Sequence, residues 1–206
     1  DPATDADPAA RPLAGRTALV TGGSRGVGRA VAQRLAADGA AVAVNYRRDA
    51  AAAEATVASI VGSGGRAIAY RAPVDDTDAV LAMLDAVRAD LGPVDLLVSN
   101  AGTASRGGTV ADTDDAEFLR LLRVHTLGPL ALMRALLPDM RAARRGDIVV
   151  ISSTIVDTMP ANGAPYSMAK AALEAAGRTL AAEERGAGIR VNIVAPGLVA
   201  TDMGER

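Results

Sequence analysis

The sequence contains no cysteine and no tryptophan, and it has one phenylalanine, one histidine and one lysine. Without cysteine the chain has no disulfide, no thiolate nucleophile and no cysteine-ligated metal. A single histidine likewise excludes a histidine-rich metal site, so we predict no bound metal. Aromatic residues make up only 2% of the chain. The core must therefore be built from alanine, valine, leucine and isoleucine.

The chain also lacks a strong charge of either sign and any long hydrophobic run. Its net charge of −2 gives no general attraction for nucleic acid or for an anionic membrane surface. No apolar run approaches the length of a membrane span, and the first residues show no basic-then-apolar signal pattern. We expect a soluble cytoplasmic protein with no nucleic acid and no membrane as partner.

Length and composition predict one folded domain. A chain of 206 residues, half of them hydrophobic, can bury one substantial core. Residues 1–13 are acidic, carry three prolines and show no periodicity, which predicts a disordered leader. Residues 14–206 then form the domain, in which strand-like and helix-like stretches alternate. The predicted strands are 17–21, 41–46, 66–70, 94–99, 147–152 and 189–195. The predicted helices are 26–38, 50–61, 77–91, 114–141 (in one or two pieces) and 166–184.

The strand-like runs are continuously aliphatic rather than alternating, which predicts burial on both faces. A parallel sheet between two layers of helices provides such burial, so the fold class is α/β with a doubly wound sheet. In this architecture the ligand crevice lies at the carboxyl ends of the strands, next to the first strand. Functional residues are expected in the segments that follow the strands.

A glycine-rich turn follows the first strand and reads Thr21-Gly22-Gly23-Ser24-Arg25-Gly26-Val27-Gly28. Glycine lets backbone N–H groups approach an anion, and a helix N-terminus adds about half a positive charge. The turn therefore predicts a cradle for the phosphates of a nucleotide. Such turns also occur where nothing binds.

The end of the second strand indicates which dinucleotide is used. An NAD site usually has an acid there for the ribose hydroxyls, but the chain reads Asn45-Tyr46-Arg47-Arg48. Together with Arg25, these arginines suit a phosphate monoester, so NADP(H) is favoured over NAD(H). In the alternative interpretation Arg47 and Arg48 are solvated loop charges.

The only lysine, Lys170, lies four residues after Tyr166 in Tyr166-Ser167-Met168-Ala169-Lys170, so both side chains share one helix face. A phenol needs its pKa lowered by about 3 units, or about 4 kcal/mol, to act near neutral pH. One charge at about 4 Å supplies that much at an effective dielectric near 20. Ser153 ends the preceding strand, 13 residues before Tyr166, and its hydroxyl can hold a substrate carbonyl. A lone Tyr-x-x-x-Lys would be an ordinary helix start with an exposed lysine.

These motifs resemble those of the short-chain dehydrogenase/reductase family. Two further segments share the resemblance, Ser99-Asn100-Ala101-Gly102 and Pro196-Gly197-Leu198-Val199-Ala200-Thr201. The resemblance is to the branch of 3-oxoacyl-acyl-carrier-protein reductases. It implies a Rossmann-like sheet of six or more strands in the order 3-2-1-4-5-6, NAD(P) as hydride carrier, and a homodimer or homotetramer. It also implies Tyr166 as acid or base, Lys170 as ribose anchor that lowers the phenol's pKa, and Ser153 as carbonyl holder. The predicted cofactor-binding residues are Gly22, Ser24, Arg25, Gly26, Val27, Gly28, Tyr46, Arg47, Arg48, Val74, Asn100, Ala101, Gly102, Tyr166, Lys170, Pro196, Gly197, Val199 and Thr201.

The chain departs from the family pattern at three places. His125, 41 residues before Tyr166, matches the asparagine that takes part in a proton relay, and its imidazole either relays a proton or packs locally. Pro73 matches an aspartate beside adenine, which leaves the Val74 backbone as the candidate contact. The chain stops at Arg206, where family members continue into a substrate lid and a last strand, so we expect the sequence to be incomplete.

We therefore predict an NADPH-dependent enzyme that interconverts a ketone or 3-oxoacyl group and a secondary alcohol, with Ser153, Tyr166, Lys170 and His125 as catalytic residues. The substrate is a small carbonyl compound or alcohol, free or carrier-bound. Arg141, Arg144 and Arg145 end the middle helix near the expected site entrance, and Arg144 matches one basic position that such reductases use toward acyl carrier protein. In the alternative interpretation these arginines bond to the last carbonyls of the helix. One alternative is an NAD-linked secondary-alcohol dehydrogenase, and another is a non-catalytic dinucleotide-binding subunit.

Overall fold

The computed structural model describes residues 11–200, and strands and helices alternate through them. The strands are β1 (Thr17–Val20), β2 (Ala41–Tyr46), β3 (Arg66–Arg71), β4 (Leu96–Ser99), β5 (Gly146–Ile151) and β6 (Ile189–Val194). The helices are α1 (Gly26–Ala37), α2 (Ala50–Gly62), α3 (Thr77–Leu91), α4 (Asp115–Leu122), α5 (Gly128–Ala143), α6 (Ile155–Thr158) and α7 (Ala164–Glu184). A π-helical segment, Arg123–Leu127, joins α4 to α5, so the long middle helix consists of two pieces.

The strands form one parallel sheet in the order β3-β2-β1-β4-β5-β6. β1 lies at the centre, where Leu19 is in register with Ala43 of β2 on one side and with Leu97 of β4 on the other. The chain winds outward in one direction as far as β3 and then in the other direction from β4. The predicted Rossmann-like, doubly wound sheet and its strand order are confirmed, and the switch point beside β1 fixes where a ligand crevice opens.

Two hydrophobic cores lie on opposite faces of the sheet because successive side chains of a strand point to opposite sides. Leu19 faces the core that α3, α5 and α7 cover. Ala18 and Val20 face the core that α1 and α2 cover. All three side chains are fully buried. The central strands are therefore buried on both faces, as their continuous hydrophobicity predicts.

β5 and β6 differ from that prediction. In β5, Ile148 and Val150 are fully buried, whereas Val149 and Ile151 on the other face are only partly buried. At the end of β6, Val194 is 47% exposed. The expectation of burial on both faces is wrong for these two strands in the described part of the chain. The reason is that α1 and α2 pack mainly over β1, β2 and β3.

The predicted leader falls partly outside the described residues, which begin at position 11. At its end, the Leu13 amide donates to the Asp38 carbonyl at 2.9 Å. The Leu13 side chain packs against the core beneath α1. The folded part of the chain thus includes Leu13. None of the described helices is long and apolar enough to cross a membrane.

Candidate active site

The turn after β1 and the loop after β4 are fastened to each other by a polar side chain from each. The Thr21 hydroxyl accepts hydrogen bonds from the amides of Asn100 at 2.9 Å and Ala101 at 3.0 Å. The Asn100 side-chain amide donates in return to the Thr21 carbonyl at 2.9 Å. The predicted cofactor residues Asn100 and Ala101 therefore lie against the glycine-rich turn, at the carboxyl ends of the two central strands.

Three glycines of the turn meet geometric demands that other residues would not meet. Gly22 and Gly26 have φ values of 64° and 52°, in the left-handed region that favours glycine. A Cβ on Gly28 would lie 2.2 Å from the Gly22 carbonyl oxygen and 2.6 Å from the Asn100 amide nitrogen. α1 therefore starts in direct contact with the turn.

The first turn of α1 has the properties of an anion site. Arg25 occupies the N-cap position, makes no capping hydrogen bond through its side chain, and is followed by no acidic residue in the first turn. An α-helix leaves its first N–H groups unbonded, with a partial positive charge. A glycine-rich turn in direct contact with such a helix start fits the diphosphate of a dinucleotide.

Two of the predicted phosphate-binding arginines, Arg25 and Arg47, are paired with carboxylates. Arg25 donates to Asp49 at 2.7 Å, and an Arg47 nitrogen lies 3.8 Å from an Asp75 oxygen. Arg47 and Arg48 are exposed, and Tyr46 is half-buried. The structure thus brings Arg25 close to the loop after β2. Asp49 and Asp75 are contacts that the sequence reasoning did not assign.

Asn45 is a buried residue of this region that the sequence analysis did not select. Its side-chain oxygen accepts from the Gly22 amide at 3.3 Å, and its nitrogen donates to the Ala72 carbonyl at 2.9 Å. It therefore joins β2 to the glycine-rich turn and to the segment after β3. An amide within an otherwise aliphatic strand was the signal that could have found it.

Two other predicted cofactor segments take up separate positions. The buried Val74 lies against the start of α5, where its carbonyl oxygen would be 2.3 Å from a Cβ on Gly128. After β6, the Pro196 carbonyl accepts from the Thr154 amide at 3.0 Å. Val199 then lines a groove together with Gly26 and Val27. The segment after β6 thus runs from the end of β5 to the start of α1. Thr201 lies outside the described residues.

The three groups expected to carry the chemistry meet between the end of β5 and α7. The Ser153 hydroxyl lies close enough to the Tyr166 hydroxyl to lower the pKa of the phenol. The Lys170 ammonium lies 5.8 Å from the centre of the Tyr166 ring and donates to the Ile151 carbonyl at 2.7 Å. Because Tyr166 and Lys170 are one turn apart on α7, both project toward the β5 end that carries Ser153.

The electrostatics of this cluster differ from the sequence expectation. Burial raises the pKa of the Tyr166 phenol, and the Ser153 hydroxyl opposes that rise without cancelling it. Burial also lowers the pKa of Lys170 to about 8. The predicted lowering of the phenol's pKa by the ammonium is therefore not found. The ammonium is held by a backbone carbonyl and lies beside the ring, so desolvation of the phenol has the larger effect.

His125 lies behind Tyr166, within the π-helical segment. Its ring centre is 5.0 Å from that of Tyr166, with the ring planes at 87°. Its Nε2 lies 2.9 Å from the Thr103 carbonyl oxygen, whereas its buried Nδ1 has no hydrogen-bond partner among the described residues. Gly102 packs on the imidazole, because a Cβ there would be 2.6 Å from Cε1 of the ring. His125 therefore packs against the tyrosine and holds the loop after β4.

Burial, assisted by the nearby Lys170 charge, lowers the pKa of His125 to about 3. Below about pH 6.5 the His125 imidazole of the unfolded chain takes up a proton, whereas the buried imidazole of the folded chain stays neutral down to about pH 3. The free energy of unfolding therefore falls as the pH drops from about 6.5 toward 3. At pH 5 this amounts to about 2 kcal/mol. We expect His125→Asn to lose less stability than the unmutated chain between pH 7 and pH 5, as measured by denaturant unfolding.

His125 is the only histidine, so the two proteins differ in no other group that titrates near pH 6. An equal loss of stability in both proteins would contradict a buried, neutral imidazole. If the chain turns over a carbonyl substrate as the sequence predicts, we expect His125→Asn to keep that turnover within tenfold of the unmutated chain. A larger loss would show that the imidazole has a specific task in the reaction.

The arginines at the end of α5 lie at the opposite edge of the sheet from this cluster. Arg145 pairs with Asp95 at 3.4 Å, just before β4 begins, and Arg144 donates to the Gly186 carbonyl at 3.2 Å. Because α5 runs antiparallel to the strands, its last turn reaches their amino ends. The sequence interpretation that placed these arginines near the site entrance is wrong.

Comparison with known proteins agrees with this geometry. A family model described as short chain dehydrogenase matches residues 16–206. A chloroplastic NADPH-dependent aldehyde reductase-like protein of Arabidopsis thaliana is 36% identical, over 93% of this chain and 75% of its own length. A short chain dehydrogenase from Burkholderia cenocepacia J2315, in complex with NADP, is 41% identical with a TM-score of 0.84, over 93% of this chain and 77% of its own. An NAD+-bound xylitol dehydrogenase is 32% identical with a TM-score of 0.86, over 90% and 71% respectively.

The sheet, the glycine-rich turn and these matches together define the class of the protein. The chain belongs to the short-chain dehydrogenase family. It is an NAD(P)-dependent oxidoreductase of the dehydrogenase/reductase type, and such enzymes act on small molecules.

Proposed function

We propose that the chain is an NADP(H)-dependent enzyme that interconverts a ketone or 3-oxoacyl carbonyl and a secondary alcohol. One observation carries the proposal. The Ser153 hydroxyl lies beside the Tyr166 hydroxyl, with the Lys170 ammonium 5.8 Å from the tyrosine ring centre. This arrangement lies at the carboxyl ends of the strands, on the same edge of the sheet as the glycine-rich turn, where a dinucleotide would present its reactive ring.

A dinucleotide held at the glycine-rich turn and Lys170 would supply the hydride for reduction of the carbonyl carbon. The Ser153 hydroxyl would donate a hydrogen bond to the carbonyl oxygen and hold it beside the phenol. The Tyr166 hydroxyl would give its proton to that oxygen as the C=O double bond becomes a single bond, which completes the alcohol. A phenol whose pKa is raised carries its proton at neutral pH, so it is prepared to act as an acid.

Lys170 would serve the same step from the other side of the phenol. Its ammonium lies close enough to stabilise the phenolate that remains after proton transfer. Ammonium hydrogens not used by the Ile151 carbonyl can bond to ribose hydroxyls. His125 packs against the tyrosine ring and would keep the phenol in its orientation. Oxidation of an alcohol would need the phenolate and would therefore gain from a higher pH.

The glycine-rich turn and Asn100 would hold the cofactor's diphosphate and the nearby sugar. The phosphate on its adenosine would be bound by Arg25, Arg47 and Arg48. Guanidinium groups suit a phosphate monoester. The names of the Arabidopsis relative and the Burkholderia complex favour NADP(H), whereas xylitol dehydrogenase was solved with NAD+. Asp49 does not by itself indicate NAD, because it caps α2 and pairs with Arg25.

We expect kcat/KM to be at least tenfold higher with NADPH than with NADH for any carbonyl compound that is turned over. The double variant Arg47→Ala/Arg48→Ala should lose about tenfold with NADPH and little with NADH, since only the former carries the extra phosphate. The measurement is initial-rate kinetics with both cofactors. Arg88→Ala is the matched control, because Arg88 is an exposed, paired arginine on α3. Equal losses with both cofactors would contradict the assignment.

The substrate is a small carbonyl compound, and an aldehyde is the second candidate because of the name of the Arabidopsis relative. NADPH consumption distinguishes the candidate substrate classes when it is measured with a panel of ketones, aldehydes and 3-oxoacyl thioesters, free and carrier-bound. An NAD-linked secondary-alcohol dehydrogenase would instead show turnover with NAD+ and alcohols. A non-catalytic subunit would bind NADPH and consume none. Homodimer or homotetramer assembly and a cytoplasmic location remain predictions.

A further inference from the structure

Glu174 is a buried carboxylate that the proposed reaction does not use. It lies on α7, one helical turn after Lys170, and is 8% exposed. A buried carboxylate is costly unless it is paired and hydrogen-bonded. Its Oε1 accepts from the Ser152 hydroxyl at 2.6 Å, and its Oε2 accepts from Arg178 at 2.9 Å. Ser152, the buried one of these two partners, is the residue immediately before Ser153.

α7 therefore holds two consecutive residues of the β5 end through two side chains four positions apart. Lys170 donates to the Ile151 carbonyl at 2.7 Å, and Glu174 accepts from the Ser152 hydroxyl. The Ser152 amide is also bonded to the Val194 carbonyl at 2.7 Å. The backbone that leads into Ser153 is thus fixed by α7 and by β6.

The charge of Glu174 also acts on the buried lysine. Burial lowers the pKa of Lys170, and Glu174 is the charge that opposes this. The other ionisable groups around the ammonium are the Tyr166 phenol on α7 and the imidazole of His125 on the π-helical segment, both uncharged near neutral pH. Arg120 of α4 acts on His125, and Arg178 pairs with Glu174 at its outer side. The residues at the β5 end are serines, which carry no charge.

We propose that Glu174 is a positioning residue of the reaction. Its carboxylate holds the Ser152 hydroxyl, and with it the β5 end that presents Ser153, and its charge lies on α7 one helical turn from Lys170, which holds the preceding residue of β5. This inference rests on the proposed function for its effect on turnover. Its effect on Lys170 stands independently of any activity.

Lys170 is the only lysine of the chain, so protein labelled with carbon-13 at the lysine Cε gives a single signal from the folded chain. In a titration followed by NMR, we expect the midpoint of this signal near pH 8 in the unmutated chain. Glu174→Gln should lower the midpoint by about one pH unit, since the amide keeps an acceptor for Ser152 and removes the charge. Ser152→Ala, which keeps the charge, should leave the midpoint within a few tenths of a unit. Glu183→Gln changes an exposed acid of the same helix and serves as the control.

The effect on turnover is measured with NADPH and the best carbonyl substrate. We expect Glu174→Gln and Ser152→Ala each to lower kcat about tenfold, and Glu174→Gln alone to move the alkaline limb of the pH profile to lower pH. An unchanged lysine midpoint in Glu174→Gln would overturn the proposal even if activity falls. If the unmutated chain has no reductase activity, the proposed function fails, and the lysine titration still decides the role of Glu174.

Discussion

Tyr166→Phe is expected to lower the turnover of any carbonyl substrate by about a hundredfold to ten-thousandfold, the usual contribution of a positioned acid. The variant removes the hydroxyl that lies beside Ser153 and leaves the ring that packs edge-on against His125. The site should therefore keep its shape while losing the proton donor. Initial rates with NADPH, together with a fluorescence titration of NADPH binding, measure both expectations.

The chain offers a matched control for this variant. Tyr70 on β3 has its hydroxyl bonded at 2.9 Å to Asp90, in the last turn of α3, so Tyr70→Phe removes a phenol hydroxyl elsewhere. We expect Tyr70→Phe to change stability and to leave kcat within about twofold. If Tyr166→Phe binds NADPH normally and retains more than a tenth of the turnover, Tyr166 is not the proton donor.

Gly28→Ala is expected to weaken NADPH binding by about tenfold to a hundredfold. The added methyl would lie 2.2 Å from the Gly22 carbonyl oxygen and 2.6 Å from the Asn100 amide, so the turn or the start of α1 must shift. Overpacking of this kind typically costs about 1–3 kcal/mol. Because the displaced atoms belong to the proposed phosphate cradle, the shift should appear in cofactor affinity, measured by fluorescence titration.

Gly62→Ala supplies the comparison, since Gly62 also lies in a helix and a Cβ there would meet nothing within 4 Å. This substitution should leave NADPH binding unchanged and should not reduce stability. Thermal unfolding of both variants separates a general loss of folding from a local change in the turn. A folded Gly28→Ala protein with unaltered affinity would show that the turn does not hold the diphosphate.

The sequence was informative wherever a pattern is local. Continuous aliphatic runs located all six strands, and the helical periodicity of residues 77–91 matched α3 at both ends. The spacing of Tyr166 and Lys170 placed both side chains on one face of α7, where the structure brings them to Ser153. The strand order was predicted from the resemblance to the family, whose sheet has the order 3-2-1-4-5-6.

The sequence was less informative where the outcome depends on burial or on distant partners. It indicated that Lys170 was near Tyr166, but the direction of the phenol's pKa depends on how far both groups are removed from water. Glu174 contacts Ser152 from 22 positions away, and Asn45 contacts Gly22 from 23 positions away. Neither pair leaves a periodic signal. The face of β5 and β6 that is half exposed likewise depends on which helices pack there.

The raised pKa of Tyr166 bears on the direction of the reaction that the site favours at neutral pH. A protonated phenol can donate to a carbonyl oxygen at once, whereas alcohol oxidation needs the phenol to lose its proton first. The alternative of a secondary-alcohol dehydrogenase therefore requires a higher pH to reach the same rate. Reductive turnover should fall and oxidative turnover should rise as the pH increases above neutrality.

In the proposed reaction a hydride from NADPH reaches the carbonyl carbon, and a proton from Tyr166 reaches the oxygen of the same group. The most direct measurement uses NADPH carrying deuterium on one or the other face of its nicotinamide C4, with mass spectrometry of the alcohol formed. We expect one deuterium at the carbinol carbon from one of the two labels, and almost no labelled alcohol from Tyr166→Phe. Alcohol without deuterium from both labels, or NADPH that binds and is not consumed with any carbonyl compound of the panel, would contradict the proposed reaction.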